Sequence, residues 1–257
     1  MGAQEGLLLG RHVLITGGGT GIGAAIARAL SKEGAKLSLA GRRKGPLDAM
    51  ASELPNTVAI VADITQVADC TAMVKAANAA HGPIDIVIAN VGAASSAPVG
   101  QIDLKAWQAA IDVNLTGAFL TVSAALIDVT RAPGGRIVFI ASTAGLKGYP
   151  YVAAYVAAKH GVVGLMKALS IELAPKGVTV NAVCPGFTDT PLLDAAADKI
   201  SAKTGRGADE SRSALAKDNA HGRLITPEEV AQAVLFLCAP GAASINGQAI
   251  AMTGGPL

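Results

Sequence analysis

An α/β fold in one domain, a doubly wound parallel sheet flanked by helices, is what three features of this sequence predict. Short apolar runs rich in β-branched residues alternate with longer helical stretches along the chain, the rhythm of strand and crossover helix. The first run leads into a cluster of glycines that opens at once into a helical segment. Residues 137–141, Ile-Val-Phe-Ile-Ala, are apolar throughout, as a strand covered on both faces must be. The 257 residues suit one domain over 1–257 with a large core, and no repeat, low-complexity tract or linker divides it.

Residues 11–16 form the first expected strand, and Gly17-Gly18-Gly19-Thr20-Gly21-Ile22-Gly23 joins it to the helical run 24–30. Strand, glycine turn and helix in that order make the Rossmann-like context of a dinucleotide site. The glycines let the backbone approach a pyrophosphate, which rests on the helix N-terminus. The spacing fits G-x-G-x-x-G only in its relaxed form, through Gly19, Gly21 and Ala24. The second strand, 36–40, ends at Gly41-Arg42-Arg43. Where an NAD binder offers an acid to the ribose 2′-hydroxyl, this chain has two arginines suited to a 2′-phosphate, so NADP(H) is favoured and NAD(H) stays possible.

The alternation continues with strands at 57–62, ending at Asp63-Ile64, and 84–89, ending at Asn90-Val91-Gly92, with a helix at 66–80 between them. One or two helices over 103–130 precede the strand 136–141, a long helix 151–173 and a strand 178–183. Residues 185–223 break the rhythm; this polar segment follows a strand end, where a substrate-covering stretch of about 187–222 belongs. A helix at 227–237 and a short strand at 248–252 complete the pattern.

Tyr155 and Lys159 lie four apart on the Ala-rich run that Pro175 stops, so hydroxyl and ammonium share a helix face. A free tyrosine titrates near ~10, and a neighbouring cation favours its phenolate, which makes Tyr155 a candidate general acid/base. Ser142, just past an apolar strand, stands where active-site residues of open α/β sheets gather and can hydrogen-bond a carbonyl oxygen.

Other chemistries fit poorly. A net charge of +2 and 3% aromatic residues argue against a nucleic-acid surface. No uninterrupted apolar run approaches the ~18–20 residues of a membrane span, and no secretory signal precedes residue 11, so a cytoplasmic location is expected. Cys70, Cys184 and Cys238 read as reduced, buried thiols, and the four histidines show no metal-ligand spacing.

Together these motifs resemble the short-chain dehydrogenases/reductases, in their compact subgroup, from roughly His12 to Gly255. The run 16–23 is similar to that family's Thr-Gly-x-x-x-Gly-x-Gly motif; Asp63 falls at its adenine-contacting Asp, and Asn90-Val91-Gly92 departs from Asn-Asn-Ala-Gly by one lost Asn. The resemblance implies a catalytic tetrad of Asn114, Ser142, Tyr155 and Lys159, with Pro185, Gly186, Thr188 and Thr190 contacting the nicotinamide. It further implies a small-molecule ketone or secondary alcohol as substrate, with 3-oxoacyl thioesters of polyketide or fatty-acid type favoured over small or cyclic alcohols. Asn114 would hold a water linking Lys159 to solvent, and Lys159 would hold the ribose hydroxyls. Homotetramers built on the apolar helices are common in that family. Arg206, Arg212, Lys203 and Lys217 are candidate partners for a thioester's phosphate. A dinucleotide-binding sensor without turnover would not need the four tetrad residues together.

Overall fold

A computed structural model describes residues 6–205 and 207–257. In chain order it contains β1 (His12–Thr16), α1 (Gly21–Lys32), β2 (Lys36–Gly41), α2 (Lys44–Glu53), β3 (Thr57–Val61), α3 (Val67–His81), β4 (Ile86–Ala89), α4 (Leu104–Ile111), α5 (Gly117–Arg131), β5 (Arg136–Ile140), α6 (Ala153–Leu173), β6 (Thr179–Pro185), α7 (Pro191–Thr204), α8 (Ala208–Ala216), α9 (Pro227–Cys238) and β7 (Ala249–Met252). The seven strands pair in the order β3-β2-β1-β4-β5-β6-β7, all parallel. The order reverses between β1 and β4, which opens a crevice beyond their carboxyl ends.

Parallel pairing needs cover on both faces, and alternate strand residues supply it. Ile15, Leu37, Leu39, Val138 and Ile140 face α1, α2 and α9 in one core cluster. Leu14, Val87, Ile137, Phe139 and Ala182 face α3, α5 and α6 in the other. Phe139 is fully buried, and each such side chain contributes about 1.5–3 kcal/mol of transfer free energy. Thr226 and Glu229 form a reciprocal capping box at the start of α9, an arrangement whose cap alone is worth about 1 kcal/mol.

Several boundaries differ from the sequence reading for identifiable reasons. α2 was not anticipated because Gly45 and Pro46 punctuate it, yet proline is tolerated in a first turn whose N–H groups lack intrahelical partners anyway. The long helix starts at Ala153 rather than Tyr151, because Tyr151 takes a left-handed φ of 66° while its carbonyl accepts the Ala97 N–H at 2.8 Å. The polar stretch after β6, whose internal structure the sequence left open, carries α7 and α8. A π-helical turn, Asp112–Thr116, joins α4 to α5. By length and hydropathy (1.6) the combined stretch Leu104–Arg131 could cross a membrane, although Lys105, Asp112, Asp128 and Arg131 keep it from being an unbroken apolar run. Its inner face instead packs on the sheet through Ala118, Val122 and Val129.

The opposite, amino-terminal edge of the sheet is stitched by polar groups. The buried His12 ring bonds the Gly82 carbonyl (2.7 Å) and the Ser38 hydroxyl (2.9 Å), the His12 backbone N–H donates to the Asp85 carboxylate (2.8 Å), and His81 meets the ring edge-on at 5.2 Å. Burial, the leading cause for both rings, holds each imidazole below its ordinary value of 6.5. The unfolded chain therefore binds more protons than the folded one as pH falls through and below 6.5. Their contribution to stability is present above that value and is lost on acidification, before the carboxylates begin to protonate. Urea midpoints followed from pH 7 downward should show this decline and a shallower one in His81→Gln; identical pH slopes would remove the imidazoles from the account.

Candidate active site

Six loops converge at the carboxyl edge of the sheet. The turn after β1 needs glycine at Gly17 (φ 69°) and Gly21 (φ 53°), where the backbone is left-handed. Gly23 is required for another reason: a β-carbon there would lie 2.1 Å from the Gly17 carbonyl oxygen. Asn90 staples this turn to β4, its side chain donating to the carbonyls of Thr16 (3.0 Å) and Gly17 (3.3 Å) while its N–H donates to the Thr16 hydroxyl (3.1 Å). Thr20 opens α1 without a side-chain bond to the first turn, unlike Asp103, Thr190 and Thr226 at the starts of α4, α7 and α9. That helix end is free to meet an anion. Ile22 packs into the core below it.

A cleft of about 690 Å3, solvent mouth included, runs from Gly17, Gly19 and Thr20 past Gly41, Arg42 and Arg43 to Asp63 and Ile64, with Val91 and Val113 at its floor. Arg43 donates to the Thr20 hydroxyl at 3.3 Å. The Asp63 carboxylate accepts from the Thr65 N–H (3.0 Å) and hydroxyl (2.8 Å); these bonds, aided by Arg42, hold its pKa below the usual carboxylate value. Gly117 makes room for Ile64, whose side chain would lie 2.6 Å from a β-carbon there. The glycine cradle and the free helix end fit the pyrophosphate of a dinucleotide.

Ser142, just beyond β5, caps a short 3₁₀ turn by accepting the Ala144 N–H at 3.1 Å. Tyr155 lies in the first turn of α6 and Lys159 one turn on, its ammonium 5.7 Å from the Tyr155 ring centroid. Lys159 is 3% exposed, and its ammonium donates to the Ile140 carbonyl at 2.9 Å. Sequence reasoning expected its charge to favour the phenolate, but burial dominates both groups. It raises the Tyr155 phenol, with a hydrogen bond from Ser142 pulling the other way, and lowers Lys159 to about 8. Cys184, buried beside them, is pushed up to about 11 by the same loss of hydration.

Asn114 sits in the π-helical turn with its side chain committed to backbone: Oδ1 accepts from Ala93 (3.1 Å), and Nδ2 donates to Ala93 (2.8 Å) and Ala110 (2.9 Å). Gly92 leaves an opening beside it, since a β-carbon there would lie 3.2 Å from Asn114 Oδ1 and 3.4 Å from Lys159 Nζ. One lone pair of Oδ1 stays available toward that opening.

After Pro185, which ends β6, Gly186 donates to the Met252 carbonyl (2.9 Å), the Thr188 hydroxyl to the Gly186 carbonyl (3.1 Å), and Thr190 caps α7. Thr190 stands over the glycine turn, where a β-carbon on Gly21 would meet its methyl group at 3.4 Å. Phe187 meets Tyr149 edge-on at 6.1 Å, and the Tyr149 hydroxyl bonds that of Thr143 at 2.8 Å, so an apolar wall stands next to Ser142. This pair escaped the sequence reading, as did Asn219, because neither belongs to a recurrent spacing. Arg212 is not free for a phosphate: it is paired with Asp189 (2.6 Å) and Asp194. Lys217 is exposed, while Arg206 and the Lys203 side chain lie outside the described residues.

A family model described as short chain dehydrogenase matches residues 11–201. A 2-(S)-hydroxypropyl-CoM dehydrogenase of Xanthobacter autotrophicus is 38% identical over 250 residues, covering 95% of each chain. A D-beta-hydroxybutyrate dehydrogenase of Cupriavidus necator is 34% identical over 256 residues, covering 97% of this chain and 98% of the relative. Among solved structures, a tryptophan variant of actinorhodin polyketide ketoreductase with NADPH is 35% identical, covers 95% of this chain and 96% of its own, and superposes with a TM-score of 0.91.

Because a β-carbon on Gly23 cannot coexist with the Gly17 carbonyl, Gly23→Ala should displace the turn and weaken dinucleotide binding by about tenfold or more while far-UV circular dichroism is kept. Fluorescence titration with reduced cofactor measures it, and undiminished affinity would take the turn out of the binding site.

Proposed function

The chain belongs to the short chain dehydrogenase family, and from that premise we propose that it interconverts a ketone and a secondary alcohol with NADP(H), its substrate a 3-oxoacyl thioester. The observation that carries the reading is the meeting of Ser142, Tyr155 and a buried Lys159 just beyond β5, at the same carboxyl edge of the sheet as the glycine turn. When bound, the dinucleotide supplies hydride to the carbonyl carbon or accepts it from the alcohol. Gly17, Gly19, Thr20, Gly21, Ile22 and Gly23 would hold its pyrophosphate, Asp63 and Ile64 its adenine end, and Asn90, Gly92, Pro185, Gly186, Thr188 and Thr190 its nicotinamide side.

Ser142 holds the carbonyl oxygen by a hydrogen bond, and Tyr155 gives that oxygen its proton in reduction and takes it back in oxidation. A phenol kept neutral by burial is in the right form to donate. Lys159 holds the ribose hydroxyls and steadies the phenolate left behind, and the opening beside Gly92 and Asn114 admits a water that returns the proton. The four together have no use in a protein that merely senses the dinucleotide.

Arg42 and Arg43 in the cleft, with no acid at the end of β2, support NADP(H). The likeness to a polyketide ketoreductase and the Phe187–Tyr149 wall support an acyl substrate. Neutralisation of Arg212 favours a second reading, a small or cyclic secondary alcohol oxidised with NAD(H), because the covering segment then offers less to a thioester's phosphate. A cytoplasmic homotetramer completes the proposal. None of the α4 residues is buried, and Leu104, Phe119 and Ile127 are 78, 48 and 63% exposed on one apolar stretch that a second copy would cover.

Loss of the phenol hydroxyl in Tyr155→Phe should lower turnover by about 10²–10⁴-fold with cofactor binding nearly intact, and retained activity defeats the assignment. In an absorbance assay, NADPH should be oxidised with acetoacetyl-CoA; turnover confined to simple ketones or alcohols would select the second reading. Replacing Arg42 and Arg43 by Ala should raise the KM for NADPH by about tenfold and leave that for NADH little changed; equal effects on both would dissolve the arginine argument.

A further inference from the structure

Asn219 belongs to no motif, and no hydrogen bond joins it to Ser142, Tyr155 or Lys159, yet its buried amide makes three hydrogen bonds to backbone groups of the segment between β6 and α9. It is 2% exposed. Its Oδ1 accepts the Phe187 N–H at 3.0 Å, and its Nδ2 donates to the carbonyls of Phe187 (2.9 Å) and Arg223 (2.7 Å). The amide thus pairs both backbone groups of Phe187 as an adjacent strand would, and joins the point where the segment leaves the sheet to the point where it returns. The neighbouring backbone continues the seam, with Ile225 donating to Phe187 (3.0 Å) and Asp189 to Ile225 (2.9 Å). Gly186 must lack a β-carbon because one would fall 2.3 Å from Asn219 Oδ1. On the other side, the Phe187 ring stands against Tyr149, which is bonded to Thr143 beside Ser142.

We infer that Asn219 is a positioning residue for the substrate side of the site: it fixes Phe187, and through it the wall that sets a ketone against Ser142 and Tyr155. The inference rests on the ketone-alcohol reading for its kinetic consequence but not for its structural one. A bare apolar residue at 219 would leave the Phe187 N–H to water and the Phe187 carbonyl one bond short, so the wall would lose its fixed place.

The test is Asn219→Ala in the full chain, assayed well below its thermal midpoint, with Asn219→Asp, which keeps the size and the acceptor for the Phe187 N–H, as the second variant should Ala not fold. The ketone KM should rise by about tenfold, while the dissociation constant of the reduced cofactor stays within about threefold of wild type. Wild-type kcat and KM in a variant with a lowered midpoint would reduce Asn219 to scaffold and overturn the inference. So would a loss of cofactor affinity matching the loss for ketone. Amide exchange at Phe187 separates this inference from the proposed function. It should quicken in Asn219→Ala whatever the enzyme reduces, and unchanged protection overturns the clamp even if turnover is found.

Discussion

A lysine ammonium inside the protein is the constraint around which the rest is arranged. Removing that charge from water is costly unless it is solvated by other means, and among the described residues no carboxylate pairs with it. The fold offers the Ile140 carbonyl at 2.9 Å and the face of the Tyr155 ring instead. Space for the approach comes from missing side chains: a β-carbon on Gly145 would fall 2.7 Å from the Lys159 carbonyl, and one on Gly92 would crowd its ammonium. Such a compromise works only if β5 and α6 hold their separation. Val162, Val163 and Met166, packed against Ile137 and Phe139, supply that rigidity.

Asparagine amides make several of the remaining joints. Each carries a donor and an acceptor, as a peptide group does, and can complete backbone pairing where strands diverge. Asn181 donates to the Ile245 carbonyl and accepts from Gln248, setting the chain in register for β7. Asn246 accepts from Val180 and donates to the Ser170 carbonyl, tying the end of α6 to the same edge. Asn90, Asn114 and Asn219 play the corresponding part at the functional end. Amides thus stitch both ends of the sheet, and at the strand starts the His12 imidazole joins them.

How much of this was legible follows from the range of the interactions. The strand-helix alternation and the crevice at the β1/β4 reversal could be read because burial on two faces leaves continuous apolar runs. The meeting of Ser142, Tyr155 and Lys159 and the glycine turn at Gly23 could be read because each follows from a local spacing along the chain. The boundary at Tyr151 could not, since a left-handed residue held by a bond to Ala97 is decided from 54 positions away. The ion pairs that neutralise Arg212 and the amide clamp at Asn219 likewise join residues distant in sequence. The direction of the Tyr155 shift was misjudged because adjacency to a cation shows in a helical repeat, whereas depth of burial does not.

The thiols give the arrangement one more property. Cys70 and Cys184 are pushed up to about 11 and Cys238 to about 12, each chiefly by burial. Oxidants and alkylating agents attack thiolate, and at neutral pH these side chains hold almost none. Even Cys184, within electrostatic reach of Lys159, stays a neutral packing group. A protein that trades in reducing equivalents is thereby insulated from the peroxide and disulfide chemistry that accompanies them.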